Sequence, residues 1–291
     1  IWDWRMGIGT SIMSHSDALF DPFTYVCFMA GRDHIPYMMI YSFIARIIAS
    51  GVCFYLLTYS IWKNKESSFI TALMYSFSGY MMIMGSNLAL GTVMVYLPVL
   101  IRGFYEICHN ISIKYYVVGL SLLLFYSLYY SYICLITGVI TFFVICLAKR
   151  KFLKREFATF IIATALSFLV ASVSIIGNYD ILVNSNRIGR QVFSISDLFL
   201  PDFKMLFTSL LRTFSVNAIG NPTNLNMGYA GYKYDYFQGT IFVSAFLPLI
   251  VVNAFKKNKK DVIILGIIFL SLNSIPLFSF VLNGMSAITL R

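Results

Sequence analysis

The chain has 291 residues, of which 59% are hydrophobic and 12% charged, and its mean hydropathy is +0.78. Soluble domains carry roughly 25% charged residues, so a deficit of this size excludes an ordinary soluble domain and points to a polytopic membrane protein. The net charge of +10 sits mostly in short basic blocks between apolar runs, which is the pattern of cytoplasmic membrane turns and not of a nucleic-acid face.

The apolar runs are long and lack strict alternation, so the fold class is all-α, a helical membrane protein and not a β-barrel. Residues 1–36 read as a first outer loop, with Asp3, Asp17, Asp21 and Asp33 against Arg5 and Arg32, a net of −2. Pro36 opens a span over Tyr37 to Trp62, closed by Lys63 and Lys65. A second span is expected over Phe69 to Gly85, and a third over Leu88 to Phe104. The third contains Pro98, which a membrane helix tolerates where a neighbour satisfies the carbonyl that proline frees.

The uncharged run Tyr115 to Ala148 is longer than the roughly 20 residues one span needs. It reads as two short spans meeting at an outer turn in the cluster YSLYYSY, 126–132. One span with a re-entrant segment is the alternative. KRKFLKRE (149–156, net +4) then precedes a span over Phe157 to Gly177. The polar stretch 178–236 reads as a second outer loop. Phe237 to Phe255 and Val262 to Leu282 form the last spans, separated by KKNKKD, net +3.

About eight spans result, all within one transmembrane domain: spans with short turns over 37–177, and the last spans within 237–291. With the blocks at Lys63, Lys149 and Lys256 in the cytoplasm, the outer loops sum to −2 and +1 and the inner turns to +9, as the positive-inside rule requires. The expected location is the cell membrane, multi-pass, with 1–36 and 178–236 extracytoplasmic. The chain starts without Met and ends just after an apolar run, so native N- and C-terminal parts are expected beyond both ends.

Arg46 stands near the middle of the first span. A charge at that depth costs about 2.5–3.5 kcal/mol on insertion scales and is a functional candidate by default. It could bind a lipid phosphate, pair with an acid, or snorkel. No acid lies within any expected span, so a protein partner would come from a loop or from a missing segment. In the first loop Asp3, Asp17 and Asp21 could serve as general base or hold a divalent ion, or Asp21 could cap the turn before Pro22. The second loop holds Arg187 and Arg190, suited to phosphate or to anionic headgroups and solvent. It also holds Tyr232, Tyr234 and Asp235 within the Asn-, Gly- and Tyr-rich segment Asn221 to Gly239, whose rings and amides suit a sugar surface or an aromatic interface belt.

Other signals are weak. Gly7-Ile8-Gly9 lacks a preceding strand and a Walker-type Lys. His15, His34 and His109 form no metal motif. The five cysteines, Cys27, Cys53, Cys108, Cys134 and Cys146, form no CxxC. The sequon at Asn110 falls on an inner turn.

The order of WDWRMGIGTS (2–11), FDPF (20–23), a span with a central basic residue at Arg46, ALMYSFSGYMMIMGSN (72–87), YLPVLIRGFYE (96–106), YFQGTIFVSAFLPLI (236–250) and the Pro276 region running to ITLR (288–291) resembles the YfhO family of bacterial membrane proteins. That family is similar to the GT-C class of glycosyltransferases. The resemblance implies a GT-C-like fold and transfer of a sugar from a polyprenyl-phosphate donor to an extracytoplasmic cell-envelope acceptor, such as lipoteichoic acid or a lipid. It also implies a catalytic Asp in the first outer loop. That residue is expected upstream of Ile1, with Asp3 and Asp21 as the candidates within this chain. Arg46, Arg187 and Arg190 would meet the donor phosphate, and Trp2, Trp4, Tyr232, Tyr234 and Asp235 the sugar or acceptor. A divalent cation could assist, although no metal motif is present. The rival reading is a transporter or flippase of lipid-linked saccharide; a structural assembly subunit is a third. The other partners expected are membrane lipids, with no nucleic acid.

Overall fold

The computed structural model describes residues 2–3, 10–11, 20–87, 90–148, 154–183 and 263. Most of these lie in one compact unit, Ile1–Phe77 with Met84–Ser185, while Ser78–Ile83 belong to a second. The described residues are helical apart from one short pairing: β1 (Trp2–Asp3) runs antiparallel to β2 (Thr10–Ser11), with Trp2 opposite Ser11 and Asp3 opposite Thr10.

The first helix, α1 (Pro22–Phe28), starts where the sequence places a cap. Asp21 accepts the backbone N–H of Phe23, and Pro22 fills the first turn, where its missing N–H costs nothing. Gly31 turns the chain at φ +84, a conformation that glycine adopts freely. A 3₁₀ turn, Arg32–His34, leads into α2 (Ile35–Trp62). Among the described residues α2 is the one helix long and apolar enough to cross a membrane. Its 28 residues span about 42 Å at 1.5 Å per residue, more than a hydrocarbon core of about 30 Å.

The faces of α2 identify its solvent. It buries Ser42, Arg46, Ser50 and Thr58, which share one face at spacings of four and eight, and exposes Tyr37, Tyr41, Ile44, Ile48 and Val52. A helix of a water-soluble protein does the opposite. Polar groups inside and apolar groups outside is the arrangement that hydrocarbon favours. The same inversion recurs in α8 (Lys154–Val170), which buries Ser167 and exposes Ile161, Ile162, Leu166 and Leu169.

Lys63 ends α2 in the left-handed region at φ 56, and Asn64 caps α3 (Lys65–Ser76) by accepting the N–H of Ser67. The expected second span is not one helix. α3 ends at Ser76, and the short α4 (Gly79–Met84) follows. Ser76 bonds back to the carbonyl of Ala72, an alternative that competes with the helix ladder. Ser78 then starts a new helix by accepting the N–H of Met81 at 3.4 Å. Three small residues in Ser76-Phe77-Ser78-Gly79 thus interrupt what hydropathy reads as continuous.

α5 (Val93–Cys108) begins later than the expected Leu88 and carries Pro98 in its interior. The carbonyl that Pro98 leaves free is that of Met94, and the Tyr75 hydroxyl donates to it at 2.9 Å. Two helices, α6 (Lys114–Tyr126) and α7 (Leu128–Ala148), divide the long uncharged run at Ser127, inside the expected turn. α6 has 13 residues, about 20 Å of helix, which is short of a full crossing. A break at Ala171 separates α8 from α9 (Ser172–Val183), so helix continues past Gly177 into the stretch read as outer loop. The rest of that loop and, apart from Ile263, the last two expected spans lie outside the described residues.

The core joins α5, α6 and α8 through Tyr96, Leu100, Tyr116, Leu120, Leu123 and Phe160. Glycines bring α5 and α6 close. A Cβ on Gly103 would overlap the Tyr116 backbone, and one on Gly119 would lie 2.7 Å from the Leu100 nitrogen. Close approach at small residues is how helices pack in lipid, where no hydrophobic force separates them from the solvent.

Candidate functional site

The buried charge in α2 finds its partner in the first loop. Arg46 Nη2 donates to Asp21 Oδ2 at 2.6 Å, and both side chains are fully buried. The other terminal nitrogen, Nη1, donates to the carbonyls of Gly85 (2.9 Å) and Asn87 (3.2 Å), just after α4. The guanidinium carbon stands 5.9 Å from the centroid of the Phe23 ring. Among the described residues, Arg46 Nε has no hydrogen-bond partner.

Asp21 accepts four hydrogen bonds. Oδ1 takes the Phe23 N–H (3.1 Å) and the Thr92 hydroxyl (3.0 Å); Oδ2 takes the Thr24 hydroxyl (2.9 Å) and Arg46. Among the described residues, these four donors occupy the lone-pair sites of the carboxylate. The cluster therefore fastens three stretches of chain: the end of the first loop at 21–24, α2 at Arg46, and the residues Gly85, Asn87 and Thr92 between α4 and α5. Ser42 adds a fourth tie by donating to the Phe23 carbonyl at 2.8 Å. A fork of fixed geometry suits this task better than an ammonium would.

The sequence reading of Asp21 as a cap before Pro22 agrees with its bond to the Phe23 N–H. The sequence does not single it out as the partner of Arg46, which it leaves as a loop residue, a ligand or a missing segment. Thr24, Thr92 and the carbonyls of Gly85 and Asn87 escaped the sequence reading. Threonine carries no charge to flag it, and backbone carbonyls carry no sequence signal. The polar stretch GSNLALGT (85–92) between two apolar runs was the one available hint.

Asp3 and Trp2 lie in β1, which pairs with β2; Gly7 and Gly9 lie outside the described residues. Trp4, Asp17 and His15 lie outside the described residues, as do Arg187, Arg190, Tyr232, Tyr234 and Asp235 of the second loop. His34 precedes α2 without a side-chain capping bond. Among the described residues no group of three His, Cys, Asp or Glu could hold a metal ion.

A second polar cluster forms at the C-terminal end of α5. Arg102 Nε donates to Glu106 at 3.1 Å, and its guanidinium lies 3.8 Å from the centroid of the Tyr115 ring. Asn110, at φ 55, donates to Glu156 at 2.8 Å. The Asn110 bond joins the turn after α5 to the start of α8, and the Arg102–Tyr115 contact joins α5 to α6.

A family model described as bacterial membrane protein YfhO matches residues 1–290. No curated protein and no solved structure matches the chain.

Proposed function

The chain belongs to the YfhO family of bacterial membrane proteins, and from that premise we propose that it is a membrane glycosyltransferase. In this reading it moves a sugar from a polyprenyl-phosphate donor to an acceptor of the cell envelope, on the outer face. The observation that carries the reading is the Asp21–Arg46 cluster. It fixes the end of the first loop to two other segments, so the loop is part of a built platform.

Within this proposal the loop residues divide the work. Asp21, saturated by its donors, is a positioning residue. Asp3, or an Asp upstream of Ile1, is the general base that takes the proton of the acceptor hydroxyl. The sugar–phosphate bond breaks as the acceptor oxygen attacks the anomeric carbon, and the phosphate leaves with the electron pair. Arg187 and Arg190 stabilise that charge, with a divalent cation as a further means. Trp2, Trp4, Tyr232, Tyr234 and Asp235 line the sugar and acceptor side. Arg46 acts through Asp21 and the 85–87 carbonyls, because both Nη groups are engaged.

The interrupted helix at Phe77–Ser78 and the proline in α5 favour a second reading, a lipid-linked saccharide flippase, since transporters bind substrate at broken helices. Deleting the gene in its host and measuring envelope polymers by mass spectrometry separates the two. Transfer predicts loss of one sugar substituent, accumulation of its prenyl-linked donor on the outer leaflet, and failure of Asp3→Asn or Arg187→Gln/Arg190→Gln to complement at normal protein level. Donor trapped on the inner leaflet means flipping; unchanged polymers and donor sink both.

A further inference from the structure

The hairpin of α2 and α3 carries a feature that the site above does not use. An apolar groove of about 410 Å³ runs between the two helices. One wall is Ile48, Val52 and Tyr55; the other is Phe69, Leu73 and Phe77. The spacings are three or four residues, so each set forms a single stripe along its helix. Gly51 and Ser76 close the floor, since a Cβ on Gly51 would lie 2.5 Å from Ser76 Oγ. The rims remain open: Ile48 is 62% exposed and Phe69 58%.

Both stripes continue to a lysine. On α2, Tyr55 stacks on Tyr59 with ring centroids 5.9 Å apart, and the Lys63 ammonium lies 5.9 Å from the Tyr59 ring. On α3, Lys65 stands one turn before Phe69. Lys63 and Lys65 are both exposed; Lys65 lies eight residues, about 12 Å of helix, from Leu73 in the middle of its wall, and Lys63 eleven residues, about 16 Å, from Val52. Glu66 is exposed too but sits about 100° round α3 from Lys65.

An apolar channel that ends at two cations has the shape and charge of a lipid with an anionic headgroup. We propose that this groove holds one acyl chain of an anionic glycerophospholipid, with its phosphate paired to Lys63 and Lys65. On the positive-inside orientation the lysines mark the cytoplasmic end, so the lipid belongs to the inner leaflet. A polyprenyl-phosphate substrate of an outer-face reaction would enter from the opposite end. The proposal does not depend on which reaction the protein performs.

The test is native mass spectrometry of the purified full-length protein in detergent, titrated with phosphatidylglycerol and with phosphatidylcholine of the same chains. Wild-type protein is expected to retain phosphatidylglycerol about tenfold more tightly, given the worth of a surface lysine to an anionic lipid. Lys63→Gln/Lys65→Gln brings it down to the phosphatidylcholine level, and Gln bears the left-handed backbone at 63 no worse than Lys. Leu73→Trp and Val52→Trp fill the groove from exposed positions and weaken both lipids together. Equal retention of the two lipids by the wild type overturns the proposal, as does retention that neither the lysine nor the groove variants change. One-for-one displacement of phosphatidylglycerol by undecaprenyl phosphate assigns the groove to a prenyl chain and overturns it equally.

Discussion

Asp21 Oδ2 and Arg46 Nη2 lie 2.6 Å apart with both side chains fully buried, which makes each residue the other's condition for being there. Taking two charges out of water or into lipid is expensive, and a buried pair contributes little against an apolar replacement of both. Removal of one partner is a different matter, because it strands a charge. Asp21→Ala and Arg46→Leu are each expected to destabilise the protein by about 3–5 kcal/mol. The double variant should cost clearly less than their sum. Arg46→Lys keeps the charge but lacks the fork that also reaches Gly85 and Asn87, so its loss should be intermediate. Thermal unfolding of the purified variants in one detergent measures all four; strict additivity would show that the pair is not coupled.

Tyr75 supplies the second test. Its hydroxyl donates to the Met94 carbonyl at 2.9 Å, the group Pro98 leaves without its i+4 partner. Tyr75→Phe should cost about 1–3 kcal/mol, the penalty for an unsatisfied buried polar group. Pro98→Ala restores the missing N–H inside the helix. Introduced into the Tyr75→Phe background, it should therefore recover most of that loss. If Tyr75→Phe costs nothing, the Met94 carbonyl has another donor.

How far the sequence reached is visible in these two cases. Pro98 announces a freed carbonyl, but which side chain answers depends on α3 lying against α5, and Tyr75 is one of 20 tyrosines. Arg46 stands out because a charge amid apolar residues is rare. Its partner was legible only as a class, a loop acid, since the pairing spans 25 residues and Thr92 joins from 71 residues away. Hydropathy located the first span to within two residues at its start and none at its end. It missed the break after Ser76 because serine and glycine are apolar enough for a hydropathy window, whereas the helix ladder responds to their capping chemistry.

The contact of α5 with α6 gives a third prediction. Gly103 has no room for any side chain against the Tyr116 backbone, and Gly119 has little against Leu100. Gly103→Leu is expected to force the helices apart and abolish a monodisperse peak in size-exclusion chromatography. Gly119→Ala should leave a folded protein with a lower melting temperature, and Gly31→Ala should also lower it, through strain at φ +84 and without disturbing helix packing. A normal Gly103→Leu protein would mean the two helices can separate at no cost.

The last prediction concerns how many times the run between Lys114 and Ala148 crosses the membrane. The break at Ser127 separates helices of 13 and 21 residues, and 13 residues reach only about 20 Å. An eight-span topology needs both halves to cross, returning the chain to the side it left. Basic residues on both flanks, Lys114 before the run and Lys149, Arg150 and Lys151 after it, favour that return. Reporter fusions at Asn110 and Lys151 decide it. With two crossings, a fluorescent protein at either position is bright and alkaline phosphatase at either is inactive. With one crossing the two positions report opposite sides. The stretch 178–236 would then fall on the cytoplasmic side, and Arg187 and Arg190 could not meet a phosphate at the outer face.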